Sequence, residues 1–309
     1  MKIVITGGLG FIGQNFADYA RHQNPNLELI ALDWFPDATE EETSLFDHVH
    51  VADFADESSL ELMKGADVVM HLAAHTTVQE SIINPLRTFE NNVVKTQKIL
   101  EFLRLNSQKT KFIFASTGGA IVGDYDGAIN EEIVAKPLSP YGASKLMIEG
   151  LLSAYLGSYG LPYASMRFSN VYGPRSFRKG SVVAAYCKMY FNDGRLQVNG
   201  DGQQTRDYIY VDDISSAIWG IIQSDTNGVF QLGTGIPTSI LEIVDIFKNL
   251  RRDKNVEIVH SKALPGEVRH NKADISKISK AIGFAPQFSV QDGISQTVDW
   301  FKSRHNTLF

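Results

Sequence analysis

The sequence predicts an α/β protein, with a doubly wound parallel sheet followed by a smaller C-terminal α/β lobe. Two observations support this prediction. Apolar segments rich in β-branched residues alternate with helical segments as far as residue 168, and a glycine-rich turn joins the first apolar segment to the first helix. Strands that alternate with helices are joined by right-handed crossovers into a parallel sheet, whose ligands bind at the carboxyl ends of the strands.

The glycine-rich turn follows a strand that starts at the N-terminus and ends near Thr6. Its glycines, Gly7, Gly10 and Gly13, have the spacing G-x-x-G-x-x-G. Glycine at these places allows a tight bend, close approach of the backbone to a pyrophosphate, and helix–strand packing. Phosphates then bind to free N–H groups at the positive end of the helix. Such turns also occur without a ligand, so a dinucleotide site needs a second signal, which the end of the second strand provides.

The second strand, residues 27–32, ends in Asp33, which follows Gly13 at the distance typical of dinucleotide-binding folds. A carboxylate there accepts hydrogen bonds from an adenosine ribose and repels a 2′-phosphate. The alternative is an aspartate that merely caps a loop. Together with the glycine turn, Asp33 predicts a Rossmann-type fold that binds NAD rather than NADP.

The remaining elements of the first domain follow in order. The first helix covers about residues 12–23, and the acidic stretch 36–46 is expected to be a solvated loop. Further strands are predicted at 49–53, 67–74, 111–115 and 162–168, and further helices at 56–63, 85–106 and 141–158. Small residues after the fourth strand leave room for a ligand at the sheet's carboxyl edge.

The pattern changes near Pro174, where a basic cluster (Arg175, Arg178 and Lys179) precedes a helix and an apolar, hairpin-like piece. We therefore expect a dinucleotide-binding domain at residues 1–173, with 206–235 crossing back to it. A substrate-binding lobe is expected at 174–205 and 236–309.

Composition narrows the function classes. A net charge of −6 gives no electrostatic reason to expect nucleic acid or an anionic membrane as partner. Cys187 is the only cysteine, which excludes an intrachain disulfide and a cysteine-rich metal site, and no metal site is predicted. The N-terminus enters a strand rather than a signal peptide, and no apolar run reaches membrane-spanning length. We expect a cytoplasmic protein.

A catalytic group is predicted at the end of the fifth strand. Ser116 and Thr117 follow that strand directly, and Tyr141 and Lys145 lie four residues apart near a helix start, on one face. Tyrosine titrates near 10 and is a poor base at neutral pH, but a lysine ammonium and a positive nicotinamide favour the phenolate. A surface helix with an i,i+4 pair is the competing interpretation. The upstream dinucleotide motif and the Ser-Thr pair favour catalysis.

Several motifs along the chain resemble one family, the NAD-dependent epimerases and dehydratases among the extended short-chain dehydrogenases/reductases. They are T-G-G-L-G-F-I-G at 6–13, H-L-A-A at 71–74, S-T-G-G-A at 116–120, Y-G-A-S-K at 141–145, R-F-S-N-V-Y-G-P at 167–174, G-D-G at 200–202, R-D-Y at 206–208, V-D-D at 211–213 and P-G-E-V-R at 265–269. Within the family the chain is most similar to the UDP-glucose (UDP-galactose) 4-epimerases.

The resemblance implies roles for individual residues. NAD would be held by Gly7, Gly10, Phe11, Ile12, Gly13, Asp33, Asp53, Phe54, Leu72, Ala73, Ala74 and Lys145. The catalytic residues would be Tyr141 and Lys145 with Thr117 or Ser116. In substrate binding, Asn170 and Arg206 would contact the diphosphate, and Asn271 would lie beside the sugar. Arg269 would bind phosphate in place of an arginine that the family often has at Leu264. For Arg206, an ion pair with Asp207 is the alternative.

The implied function is 4-epimerisation of a nucleotide-diphosphate sugar, such as UDP-glucose, UDP-galactose or their N-acetyl forms, through a 4-keto intermediate. A dehydratase of the family is less favoured, because such relatives have Asp-Glu where this chain has Gly118 and Gly119. A decarboxylase, a dehydrogenase or a non-catalytic NAD-binding regulator would also be compatible with the motifs. The resemblance further implies a homodimer formed by the helices at 85–106 and 141–158.

Overall fold

The computed structural model describes residues 1–192, 194–250, 256–262 and 269–304. Leu264 and the P-G-E-V part of the 265–269 motif lie outside the described residues. Within the described part of the chain, no helix is long and apolar enough to cross a membrane.

The described residues form fourteen strands. In chain order they are β1 (Lys2–Thr6), β2 (Glu28–Asp33), β3 (His48–Val51), β4 (Val68–His71), β5 (Lys111–Thr117), β6 (Ala128–Ile129), β7 (Tyr163–Phe168), β8 (Asn170–Tyr172), β9 (Arg195–Asn199), β10 (Thr205–Tyr210), β11 (Gly228–Leu232), β12 (Pro237–Ser239), β13 (Glu257–Ser261) and β14 (Lys272–Ala273).

The same ranges contain thirteen α-helices. They are α1 (Phe11–Gln23), α2 (Glu40–Thr43), α3 (Glu57–Met63), α4 (Val78–Ile83), α5 (Pro85–Phe89), α6 (Lys95–Asn106), α7 (Gly118–Val122), α8 (Pro140–Tyr159), α9 (Val182–Phe191), α10 (Val211–Ile222), α11 (Ile240–Leu250), α12 (Ser276–Ile282) and α13 (Val290–Ser303).

A seven-stranded sheet in the order β11-β7-β5-β4-β1-β2-β3 forms the centre of the molecule, and its strand pairs are parallel. Apolar side chains of α1, α10 and α12 pack on one face, and those of α3, α6 and α8 on the other. The predicted doubly wound, Rossmann-type fold is therefore confirmed. The strand order reverses between β1 and β4, so a crevice opens at their carboxyl ends.

The C-terminal part of the chain surrounds a separate apolar cluster, to which α9, α11 and α13 contribute. The prediction of a hairpin-like piece after α9 is wrong, because β9 pairs in parallel with the distant β13. In the expected crossing segment 206–235, β11 forms the edge of the central sheet, whereas β10 pairs with β8 and β12 in a separate sheet. The domain boundaries themselves stay a prediction.

Two helical segments differ from the sequence prediction. The expected loop at 36–46 contains α2, whose capping box joins Thr39 and Glu42 reciprocally and stabilises a single turn. The expected helix at 85–106 consists of α5, a π-helical turn at Glu90–Val94 and α6. A π-helical turn inserts an extra residue into the helix, a local event that the apolar periodicity does not reveal.

A buried ion pair joins α8 to the central sheet. Both Nε and Nη2 of Arg167, on β7, donate to the carboxylate of Glu149 on α8, and the Nη2–Oε2 distance is 2.7 Å. Ser116 and Ser165 also donate to Glu149 Oε1, at 2.7 and 2.9 Å. Because Glu149 lies one helical turn after Lys145, this network fixes the helix that presents the predicted catalytic pair.

We predict that Glu149→Ala destabilises the protein by about 3–5 kcal/mol, because it leaves the Arg167 guanidinium buried without its counter-charge. Urea unfolding monitored by circular dichroism measures the change. The control is Glu257→Ala, which breaks an exposed ion pair with Arg195 and should cost at most about 1 kcal/mol. Equal losses in the two variants would contradict the structural role of Glu149.

Candidate active site

The glycine-rich turn lies at the carboxyl end of β1. Gly7 has a left-handed φ of +69°, and a Cβ there would lie 2.9 Å from the backbone nitrogen of Ala73. At Gly13, a Cβ would meet the carbonyl oxygen of Gly8 at 2.4 Å. Both positions therefore require glycine, and no side chain among the described residues caps the N-terminus of α1. The first N–H groups of α1 are thus available for a phosphate.

Asp33 ends β2 beside this turn. One oxygen of its carboxylate accepts from the N–H of Leu9 at 3.0 Å, and the other accepts from that of Trp34 at 2.9 Å. Burial raises the pKa of Asp33, although these N–H groups and Arg178 oppose the effect. The carboxylate is thus held in place at the crevice, where sequence reasoning expects a ribose.

A cavity of about 460 Å³ opens next to Asp33, and we call it the adenosine cavity. It is lined by the predicted cofactor residues Gly7, Gly10, Asp33, Asp53, Phe54, Leu72, Ala73 and Ala74. Lys95 pairs with Asp53 at 2.5 Å. Burial acts to raise the pKa of Asp53, but Lys95 and the N–H of Ala55 outweigh it and hold that pKa below its usual value.

A second cavity of about 430 Å³ adjoins the first, and we call it the catalytic cavity. The predicted residues that line it are Gly7, Gly10, Phe11, Ile12, Gly13, Leu72, Ser116, Thr117, Tyr141 and Lys145. The two cavities share Gly7, Gly10 and Leu72, so together they form one continuous cleft along the carboxyl edge of the sheet. The structure therefore brings the glycine turn and the Tyr-Lys pair together.

Tyr141 lies in the first turn of α8, after the N-cap residue Ser139, whose hydroxyl accepts from the N–H of Gly142. A Cβ at Gly142 would lie 2.0 Å from the carbonyl oxygen of Ala120, so α8 approaches α7 very closely there. This contact brings Tyr141 to the end of β5, near Thr117.

Lys145 is buried below Tyr141. Its Nζ donates to the carbonyl oxygen of Ala115 at 2.7 Å and lies 4.5 Å from the ring centroid of Phe114 and 5.9 Å from that of Tyr141. Burial lowers the pKa of Lys145 to about 7, an effect that the Glu149 carboxylate opposes, and burial raises the pKa of Tyr141 to about 12. A positive charge beside the phenol favours its ionised form.

The two candidate hydroxyls have different surroundings. Ser116 is 4% exposed and donates to Glu149, so its hydroxyl belongs to the buried network behind the site. Thr117 ends β5, lines the catalytic cavity, and does not cap α7 with its side chain. Of the two, Thr117 is the hydroxyl better placed to face a ligand.

Gly118 and Gly119 pack tightly against two amide side chains. A Cβ at Gly118 would lie 2.6 Å from Gln231 Oε1, and a Cβ at Gly119 would lie 2.3 Å from Asn271 Nδ2. The predicted substrate residue Asn271 is thus next to the catalytic loop. As the structure stands, a larger side chain at either glycine would collide with an amide.

A third cavity, of about 330 Å³, lies between β8, β10 and the start of α9, and we call it the lobe cavity. Asn170 and Arg206 line it, as expected of substrate-binding residues. The Asp207 carboxylate accepts from Thr234, Gly235 and Ala273, and is thus occupied by other partners. Arg269 is not among the residues that line this cavity, since its side chain pairs with exposed Asp201 at 2.8 Å.

Some residues at the site were assigned no role from the sequence. Asn92, in the π-helical turn, is 1% exposed and joins His75 to Ser144 through its amide. All three residues of the basic cluster line the catalytic cavity. The sequence feature that could have identified them is the occurrence of three cations within five residues, directly after the R-F-S-N-V-Y-G-P motif.

The cleft leads from the glycine-rich turn to Tyr141, which lies beside the buried ammonium of Lys145. A positive nicotinamide ring next to such a tyrosine further favours its ionised form. A dinucleotide turn combined with a Tyr-Lys pair is typical of enzymes of the short-chain dehydrogenase/reductase type. The sequence profile of the NAD dependent epimerase/dehydratase family matches residues 3–233, and the chain belongs to that family.

Individual relatives support this membership. The chain is 34% identical to a putative UDP-glucose 4-epimerase of Methanocaldococcus jannaschii, over 99% of this chain and 100% of that protein. It is 29% identical to a dTDP-glucose 4,6-dehydratase of Shigella flexneri, over 99% of this chain and 94% of the relative. The structure of Thermotoga maritima UDP-glucose 4-epimerase with UDP-glucose superposes on this chain with a TM-score of 0.91 and is 32% identical to it. The superposition covers 99% of this chain and 100% of that chain.

NAD is the cofactor of this family, and the residues of the cleft fit it. The uncapped first turn of α1 offers N–H donors for the two phosphates, and Asp33 offers a carboxylate for the adenosine ribose. Lys145 lies within the same cleft, near the end of β5 where the nicotinamide half would bind.

We predict that Asp33→Ala weakens NAD binding by roughly 1.5–3 kcal/mol, the usual value of a hydrogen bond to a charged group. It should also reduce the preference for NAD over NADP. Calorimetric titration with both dinucleotides measures the effects. Asp37→Ala, an exposed position in the following loop, is the control and should bind NAD like the wild type. A wild-type protein that prefers NADP would show that the assignment of Asp33 is wrong.

Proposed function

We propose that the protein is a nucleotide-sugar 4-epimerase that acts on UDP-sugars. The chemistry proceeds through a 4-keto sugar, which is reduced again on its opposite face. The residues at the end of β5 and the start of α8 provide the base, its positive neighbour and a hydroxyl. Bound NAD supplies the oxidising and then the reducing capacity, and the protein's own groups position the sugar and move its proton.

Tyr141 takes the proton from the sugar O4 and returns it after the sugar has turned. The Lys145 ammonium, 5.9 Å from the Tyr141 ring centroid, stabilises the phenolate form that accepts the proton. Thr117 hydrogen-bonds the reacting oxygen, whereas Ser116 keeps its bond to Glu149 and supports the loop from behind. Gly7, Gly10, Phe11, Ile12 and Gly13 hold the phosphates of the cofactor.

The identity of residues 118 and 119, both glycine, is the observation that favours epimerisation over dehydration. In dehydratases of this family the corresponding residues are an Asp-Glu pair, which eliminates water from the 4-keto sugar. Here the two glycines have no acidic group, and the atoms beside them are the amide ends of Gln231 and Asn271. Without an acid and a base beside Thr117, the 4-keto sugar has no route to elimination and is reduced.

The experiment incubates the purified protein with UDP-glucose, UDP-galactose and their N-acetyl forms, and separates the products by anion-exchange chromatography. We expect 4-epimers and no 4-keto-6-deoxy sugar. Accumulation of the 4-keto-6-deoxy product would identify a dehydratase. Formation of NADH in proportion to the sugar oxidised would identify a net dehydrogenase. In a further incubation with UDP-glucuronic acid, loss of carbon dioxide would indicate a decarboxylase. A protein that binds NAD but turns over none of these sugars would be a regulator.

Asn271 supports a broad choice of sugar. It lies against Gly119 at the catalytic loop, and its short amide leaves more space than the tyrosine that some relatives have there. We therefore expect N-acetylated sugars to be accepted. An Asn271→Tyr variant should lose activity on UDP-N-acetylglucosamine while keeping more of its activity on UDP-glucose, as measured by the two kcat/KM values.

The first mechanistic prediction concerns Tyr141→Phe, which keeps the ring and removes the group that accepts the proton. Turnover should fall by roughly 10²–10⁴-fold, the usual share of general acid–base catalysis, while NAD binding persists. Tyr125→Phe, at an exposed tyrosine elsewhere, is the matched control and should leave turnover unchanged. Full activity of Tyr141→Phe would refute the mechanism.

The second mechanistic prediction concerns pH. Since burial lowers the pKa of Lys145 to about 7, the Tyr141–Lys145 pair loses its first proton near that pH. The active form is the singly protonated pair in which the phenolate lies beside the ammonium. The wild-type kcat/KM should therefore rise as the pH increases through about 7. In Lys145→Met, the phenol of Tyr141 ionises without a positive neighbour, so the rising limb should move to higher pH. An unchanged limb would exclude coupling of the two groups.

We also propose that the protein forms a homodimer through α5 and α8. The groove between these helices is lined by apolar residues such as Pro85, Phe89, Pro137, Leu138 and Met147. Leu86 is 67% exposed, Leu138 68% and Met147 47%. Large apolar side chains grouped in this way are typical of an interface, and a two-fold contact would cover both copies equally.

Sedimentation velocity at micromolar concentration tests the dimer. We expect the mass of two chains for the wild type and of one chain for Leu86→Glu combined with Met147→Glu. The control is Ile236→Glu, which changes an equally exposed apolar residue outside the groove. A wild-type monomer would contradict the proposal.

A further inference from the structure

Lys179 lies where the catalytic cavity and the lobe cavity meet. It lines both of them, as do Ser169 and Val171. On the catalytic side the cavity contains Tyr141, and on the lobe side it contains Asn170 and Arg206. A molecule that reaches from the lobe cavity to the catalytic tyrosine must therefore pass Lys179.

The ammonium group of Lys179 is fixed in this place. Its Nζ donates to the carbonyl oxygen of Val171 at 2.8 Å, directly after Asn170, and lies 4.7 Å from the centroid of the Phe11 ring. A lysine ammonium has three donors, so one bond to Val171 leaves capacity for a ligand.

The charge of Lys179 has no acidic partner within the described ranges, where no carboxylate lies within ion-pair distance of its Nζ. Burial lowers the pKa of Lys179 to about 8, and the charge is thus costly to keep. Arg175 and Arg178, its neighbours in the basic cluster, are instead paired with Asp18 and Glu42. An unpaired, partly buried ammonium on a cavity wall suits an anionic ligand.

We propose that Lys179 binds the sugar-proximal phosphate of the nucleotide-diphosphate sugar and so determines how far the sugar extends toward Tyr141. The inference rests on the proposed function, since it assumes that the substrate is a nucleoside diphosphate sugar. The nucleoside lies in the lobe cavity with its own phosphate near Asn170 and Arg206, and the phosphate next to the sugar lies at the junction. The sugar itself then enters the catalytic cavity.

The ammonium of Lys179 lies against Phe11, the first residue of α1, so it is also close to the donors expected to hold the NAD pyrophosphate. We assign it to the substrate, because the first turn of α1 already provides N–H donors for the cofactor. In contrast, the bond from Lys179 to Val171 holds the ammonium one residue from Asn170, on the wall that it shares with Arg206. A role for Lys179 toward NAD is an outcome that the experiment can detect.

The experiment measures the affinities of UDP and UMP by calorimetry with the NAD-loaded protein. We compare the wild type with Lys179→Met, Lys179→Arg and the charge-matched control Lys248→Met, a surface lysine on α11. Lys179→Met should weaken the binding of UDP by roughly ten- to a hundredfold, since a charge-assisted hydrogen bond is lost. The affinity for UMP should stay within about threefold of the wild-type value. Lys179→Arg should retain most of the UDP affinity, and Lys248→Met all of it.

Several results would overturn the proposal. Unchanged UDP affinity in Lys179→Met would remove the residue from the site. Equal weakening of UDP and UMP binding would place the ammonium at the nucleoside-proximal phosphate. Weakening of NAD binding alone would assign the ammonium to the cofactor. If the wild type binds dTDP or GDP instead of UDP, the nucleotide in the proposed function is wrong. The same diphosphate–monophosphate comparison with that nucleotide then decides the role of Lys179.

Discussion

The burial of one ammonium group, that of Lys145, is the constraint on which the site depends. A lysine taken out of water loses solvation and tends to lose its proton, so the surrounding groups must compensate. The carbonyl oxygen of Ala115 accepts from Nζ, the Phe114 ring lies 4.5 Å away, and the Glu149 carboxylate supplies negative charge. These groups come from β5 and α8, which explains why that strand and that helix pack so closely.

The same constraint extends into the sheet. Without Arg167, Glu149 would be a buried carboxylate that lacks a counter-charge, and Arg167 belongs to β7, the strand next to β5. Ser116 completes the set by donating to Glu149. The hydroxyl of Ser116, one of the two candidate catalytic hydroxyls, thus donates to the carboxylate behind Lys145 in the structure. The distinction depends on which way two neighbouring side chains point at the end of a strand.

Much of the fold could be predicted because its signals are local. The alternation of apolar strands with helices, the glycine turn and Asp33 depend on residues close together in sequence, and the parallel sheet follows from them. Pairing between distant segments could not be predicted in this way. The parallel pairing of β9 with β13 joins residues about sixty positions apart, and no periodic pattern encodes it. Short elements such as α2 depend on one capping interaction.

For the candidate site, the motifs select residues that line the cavities of the structure, and the roles of these residues stay predictions. They are Tyr141, Lys145, Thr117, Asn170 and Arg206. Arg269 illustrates the limit, because its side chain pairs with Asp201 in the structure and sequence spacing cannot choose between two partners. The position of Lys179 at the junction of two cavities could likewise not be predicted from the sequence, since it depends on how distant segments pack.

The contacts of Gly118 and Gly119 also bear on how a protein of this kind could diverge. The atoms opposite the two glycines are the amide ends of Gln231 and Asn271, which are the flexible parts of those side chains. A larger residue at either glycine therefore requires an amide to turn away, not the backbone to move. At Gly7 and Gly13 the neighbouring atoms belong to the backbone, so a Cβ has no such accommodation. Packing thus leaves the loop after Thr117 open to exchange of single residues, while it keeps the glycine-rich turn unchanged.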